Sequence, residues 1–118
     1  MPFSFEKLDV YQRSVELVDK VYALSKTFPK EERFGITAQL RSAALSVSQN
    51  IAEGSGRYSK KDFTHFLHMA RSSAYECIPI LDIACRQGFI AEDIRQSLYT
   101  EFDEIARMIN GLINSLRE

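Results

Sequence analysis

Three groups of side chains in this chain have types and spacings suited to chemistry. The first is a polar line on one helix, within QLRSAALSVSQNIAEGSGR, Gln39 to Arg57. At 100° per residue, Gln39, Ser42, Ser46, Asn50, Glu53 and Arg57 gather into an arc of roughly 80°. Ile36, Leu40, Ala44, Val47 and Ile51 fill the adjacent arc. The apolar arc explains itself as core, whereas hydroxyls, an amide, a carboxylate and a guanidinium in line need partners inside the protein or a ligand. The second group is His65 and His68, which share a helix face with Asp62. That spacing holds a metal when further ligands converge, but without them polar residues near a helix start are the plainer reading. The third group is Arg57-Tyr58-Ser59-Lys60-Lys61, with Arg71 further along the same helix. Its cations suit phosphates and Tyr58 suits base stacking; the plainer reading is a solvated turn. Glu53 and Glu76 are carboxylates of the kind used in acid/base work, yet no nucleophile or cofactor cradle accompanies them. No catalytic residue, cofactor or metal is expected.

The elements that must position these groups are helices. The first, over about residues 6–27, carries Leu8, Tyr11, Val15, Val18 and Tyr22 on one line and Val10, Leu17, Val21, Leu24 and Phe28 on another. It is apolar over more of its girth than one core face requires. Phe28-Pro29 ends it, because the residue before proline is pushed out of the helical region. Lys30 to Gly35 is a polar connection. The second helix, about 36–54, opens at Thr37 or a neighbour and stops at Gly54-Ser55-Gly56, where glycine is expected to supply a left-handed C-cap.

Ser59 and Asp62 resemble a capping box at the start of a third helix, about 59–87. Its core stripe is Phe63, Leu67, Ala70, Ala74, Cys77, Leu81 and Ala84. Pro79 is expected to kink it and leave the Tyr75 carbonyl without a donor. Gly88 ends it. A fourth helix, about 91–116, starts with Glu92 and Asp93, where the helix dipole favours negative charge. Leu98, Phe102, Ile105, Ile109, Leu112 and Leu116 then repeat with coiled-coil-like spacing. The prediction is a single all-α domain over 1–118, an antiparallel up-down-up-down four-helix bundle.

Antiparallel pairing about the Gly54–Arg57 turn brings Asn50 near His65, Ser46 near His68, and Gln39 and Ser42 near Ser73 and Glu76. A structural polar network of Gln39, Arg41, Ser46, Asn50, Glu53, Ser73 and Glu76 follows, read first as a device that fixes helix register. If it binds a ligand instead, Arg41 and Arg57 are its anion contacts and Asn50 its orienting amide. The candidate nucleic-acid contacts are Arg57, Tyr58, Lys60, Lys61 and Arg71.

Length and composition set the frame. At 118 residues, 45% hydrophobic, with three Pro and five Gly, the chain is one ordered domain. No apolar run spans a membrane and the N-terminus MPFSFEKLDV is no leader, so no membrane partner and a cytoplasmic location are expected. Cys77 and Cys85 lie about 12 Å apart along one predicted helix, too far for a disulfide, and are expected to be reduced core residues. A net charge of -1 argues against a surface dominated by nucleic-acid contacts but leaves room for a local basic patch. The excess apolar girth of two helices predicts a homo-oligomer.

Three segments carry a family resemblance: Phe28-Pro29-x-x-Glu32; Gln39-Leu40-Arg41-x-Ala43-x-x-Ser46-x-x-Asn50-Ile51-Ala52-Glu53-Gly54-x-x-Arg57; and Phe66-Leu67-x-x-Ala70-x-x-Ser73-x-x-Glu76. In this order the chain resembles the four helix bundle proteins encoded in intervening sequences of large-subunit ribosomal RNA genes. The resemblance spans nearly the whole chain. It implies an antiparallel four-helix bundle assembled into a ring-shaped homopentamer, with no settled biochemical function. A related group, the accessory proteins of diversity-generating retroelements, binds reverse transcriptase and nucleic acid through a strongly basic surface that this near-neutral chain lacks. Ser72, where the family pattern has glycine, and Pro79, where an ordinary helical residue stands, are further departures. Two functions follow as expectations: an oligomeric scaffold whose partner is itself or another protein, and an RNA or DNA binder that uses the turn patch.

Overall fold

The computed structural model describes residues 3–117. Four helices carry the chain: α1 Asp9–Ser25, α2 Ile36–Ser55, α3 Lys60–Arg86 and α4 Glu92–Ser115. Two 3-10 turns, Ser4–Lys7 and Lys30–Glu32, lie before α1 and α2, and no strand occurs among the described residues. The fold is the all-α four-helix bundle that the periodicity predicts.

Cross-helix contacts establish the antiparallel order. Ser14 meets Ser48 at 3.0 Å while Arg41 reaches back to Ser25 at 2.8 Å. Ser46 meets Ser73 at 3.0 Å, and Asp82 near the end of α3 takes Arg95 near the start of α4 at 3.2 Å. The bundle closes on α1 and α4 through the exposed ion pairs Arg13–Glu104 and Lys20–Glu101. Inside, Val21, Leu40, Ile51, Leu67, Leu81, Ile105 and Ile109 are fully buried. They stand at the 3/4 spacings that place one stripe of each helix on the common axis.

The helix ends correct two expectations. Leu8 is extended (φ -73°, ψ 125°), so α1 starts at Asp9 and Phe5 belongs to a separate turn, its ring edge-on to Tyr11 at 4.8 Å. The second helix begins at Ile36, as predicted; Thr37 is buried, and the first turn is met by Glu32 Oε1, which accepts from the Ile36 N–H at 3.3 Å. At its other end no left-handed glycine appears: α2 runs through Gly54 to Ser55, and Gly56 caps it at φ -82°, ψ -3°. The left-handed position is Gly88 alone among the described residues, with φ 80°. There the Phe89 N–H bonds the Ala84 carbonyl at 2.9 Å and the Gly88 N–H bonds the Cys85 carbonyl at 3.0 Å, a Schellman ending of α3. The Ser59 cap is as predicted, its side chain accepting from the Asp62 N–H at 3.0 Å. α3 continues as one helix through Pro79.

Of the two free cysteines, Cys77 is buried and its thiol is pushed up to about 12 by burial. Cys85 is only half-buried, packed at the edge of the core; it donates to Glu92 at 3.3 Å, and that carboxylate raises its pKa. The same carboxylate accepts from Arg95 at 2.6 and 2.8 Å, and Arg95 first, then Cys85, hold Glu92 down at about 2. Because the folded value lies below the ordinary 4.5, this group's contribution is complete above about pH 4.5 and is lost as pH falls toward 2. Melting curves of wild type and Glu92→Gln are expected to differ near neutrality and to converge as pH falls through that window. An undiminished gap at the acid end would remove this group from the acid response.

Candidate functional site

The predicted polar stripe becomes an open trough between α2 and α3. Small side chains make it: Ala38, Ser42, Ala43 and Ser46 face Ser72 and Ser73, and none fills the space between the helices. One compartment of about 490 Å³ is bordered by Gln39, Ser42, Ser46, Ser73 and Glu76. A second of about 320 Å³ is bordered by Ser46, Asn50, His65, His68, Ser73 and Glu76. The predicted neighbourhoods of Asn50 with His65, and of Gln39 and Ser42 with Ser73 and Glu76, are therefore present. Ser46 and His68 border one compartment as well, as the pairing predicts. The cross-helix bond joins Ser46 to the buried Ser73, while Asn50 turns back on its own helix and donates to the Ser46 carbonyl at 2.9 Å and hydroxyl at 3.0 Å. Asn50 thus orients the Ser46 hydroxyl for the bond that crosses.

Two members of the predicted network lie elsewhere. Arg41 points to α1, its Nε donating to Ser25 Oγ and its guanidinium resting 4.6 Å above the Tyr22 ring. Glu53 is exposed at the bundle end and pairs with Arg57 at 2.9 Å. Glu53 and Glu76 therefore belong to different surfaces and form no acid/base pair. Among the described residues, no three His, Cys, Asp or Glu side chains are grouped to hold a metal, so His65, His68 and Asp62 make no such centre.

The turn patch divides in the same way. Tyr58, Lys60 and Lys61 border one open groove of about 670 Å³ at the bundle end. Arg117, from the far end of the sequence, borders it too, and no spacing rule could have announced it. The Tyr58 ring is fully exposed. Arg57 is drawn aside by Glu53 and by the Phe66 ring, 4.6 Å from its guanidinium. Arg71 is remote from the patch on the α4 side of α3, where it donates to the Tyr75 hydroxyl at 2.7 Å and lies 4.6 Å from that ring. Its buried Nε has no partner. Sequence reasoning also missed the buried Ser14–Ser48 pair, because serine on a helix carries no sign of which neighbour it meets.

This geometry defines a class: a small antiparallel helical bundle whose polar and apolar grooves lie open between its helices. The chain belongs to the 23S rRNA-intervening sequence protein family, whose model matches residues 6–111. It is similar to a crystal structure from Bacteroides thetaiotaomicron of a protein with unknown function from the S23 ribosomal protein family. The two share 25% identity and a TM-score of 0.81, over 88% of this chain and 97% of that one. No curated protein sequence matches the chain. No described helix is long and apolar enough to cross a membrane.

Proposed function

We propose that this protein is a non-enzymatic interaction scaffold that works as a ring of identical subunits. One observation carries the reading: the bundle has two exposed apolar flanks on opposite sides. Along the outer α1/α2 seam, Val15, Tyr22 and Leu45 are 37%, 37% and 39% exposed. Along the outer α3/α4 seam, Tyr75 and Tyr99 are 51% and 43% exposed and border one groove. Clustered large apolar side chains on a soluble surface mark interaction sites. Two unlike faces on opposite sides favour head-to-tail contact, which closes into a ring, over a two-fold dimer. The family resemblance supports five members. Light scattering on the eluting protein tests the reading: one species several times the 13.5 kDa subunit mass is expected, and a monomer across the micromolar range overturns it.

A second reading, an RNA or DNA contact, is favoured by the fully exposed Tyr58 beside Lys60, Lys61 and Arg117. A ring would repeat this weak patch and raise its avidity. Anisotropy of a labelled structured RNA at about 50 and about 200 mM salt tests it. Binding that collapses with salt and with Lys60→Ala plus Lys61→Ala supports it; no binding at either salt leaves the scaffold, with another protein as the partner to seek.

A further inference from the structure

We infer that the two apolar flanks recognise each other: the α1/α2 flank of one subunit seats in a groove beside Pro79 on the α3/α4 flank of the next, with Tyr22 entering the groove and Arg41 meeting Asp103. The inference rests on the ring reading above and names its contact.

The groove has a local cause. Pro79 supplies no N–H to the Tyr75 carbonyl one turn back, and Ala74 is too small to fill the space against α4. A cavity of about 330 Å³ remains, walled by Tyr75, Ile78, Pro79, Tyr99 and Phe102, with the Asp103 carboxylate the one charged group on it. Pockets of this size and character are suited to an aromatic anchor with a polar tip. Asp103 is held by Arg107 at 3.0 Å, but that arginine is 79% exposed, and exposed pairs one turn apart hold only weakly. A better-placed cation can therefore take the carboxylate.

The opposite flank presents such a cation. Arg41 is half-buried, stacked on Tyr22 and tethered to Ser25, and among the described residues no carboxylate lies within ion-pair distance of it. A carboxylate is the group that a guanidinium's planar fork of donors suits best. The charges are thus complementary: one cation beside an aromatic knob on the first flank, one anion beside an aromatic groove on the second. Each flank follows a bundle 46 Å long and 21 to 23 Å across, room for the ~800 Å² per partner of a stable interface.

Charge reversal tests the pairing. Arg41→Asp and Asp103→Arg are each expected to weaken assembly at least about tenfold, and the double variant Arg41→Asp plus Asp103→Arg to recover most of the loss. Helix content by circular dichroism must stay constant. Since Arg41 also tethers α1 to α2, a second measurement uses surface cysteines. Tyr22→Cys plus Tyr99→Cys in one chain should oxidise to a ladder of covalent multimers, a mixture of the two single variants should stop at dimers, and neither single variant alone should cross-link. If wild type is an oligomer but the single reversals assemble normally, or Tyr22→Cys dimerises alone, the pairing is wrong and the ring survives. If wild type is a monomer, both fail.

Discussion

Gly54→Val is expected to lower the melting temperature by roughly 10 °C or more, the largest loss from any glycine in the chain. A Cβ on Gly54 would stand 2.7 Å from the Phe66 Cβ and 3.0 Å from the Phe63 ring. The ring can rotate, but the Phe66 Cβ is fixed to the α3 backbone, so relief requires the two helices to separate. Overpacking of this kind costs about 1–3 kcal/mol, and more where backbone must move. At several degrees per kcal/mol for a domain of this length the shift is readily measured. The separation would also stretch the Ser46–Ser73 bond in the trough, since both depend on the same close approach. Two other glycines serve as controls. Gly111→Ala meets nothing within 4 Å and should stabilise its helix by up to about 1 kcal/mol. Gly88→Ala, at φ 80°, should cost about 1–2 kcal/mol through backbone strain alone. A Gly54→Val protein that melts with wild type would show that α2 and α3 are not in this contact.

Phe102→Ala is expected to cost about 3–5 kcal/mol, read as a fall in the urea midpoint with an unchanged slope. The side chain is only 2% exposed and belongs both to the core and to the wall of the Pro79 groove. Its removal joins the core void to an open groove, so entering water should hold the cost near the lower end of that range. Assembly should weaken further than stability predicts, because the groove loses its wall. A drop below about 1 kcal/mol would mean that α4 repacks freely and that Phe102 supports neither surface.

The α2 stripe shows how much of the site was legible. Gln39, Ser42, Ser46 and Asn50 share an azimuth on the wheel, and all four border the α2–α3 trough. Arg41, two residues from Gln39, stands about 200° around the helix from it, and that angle sends it to α1 and out of the predicted network. Glu53 has the right azimuth but lies level with the chain's turn, where Arg57 claims it. For Lys60 and Lys61 the helix start predicted exposure correctly, while Arg117 depended on where the fourth helix ends in space.

By itself the sequence determined the four helices, their core stripes, the Ser59 cap and the stop at Gly88, because each depends on residues within a turn or two of one another. The tertiary structure decided what local spacing cannot carry: that Gly54 is needed for close helix approach rather than for a turn, that Arg41 faces away from the trough, and that Pro79 opens a groove against α4. The physical reason is common to all three. A wheel assigns each side chain a direction on its own helix, whereas its contacts depend on the distance and rotation of the neighbouring helix, which every other packed side chain in the bundle sets together.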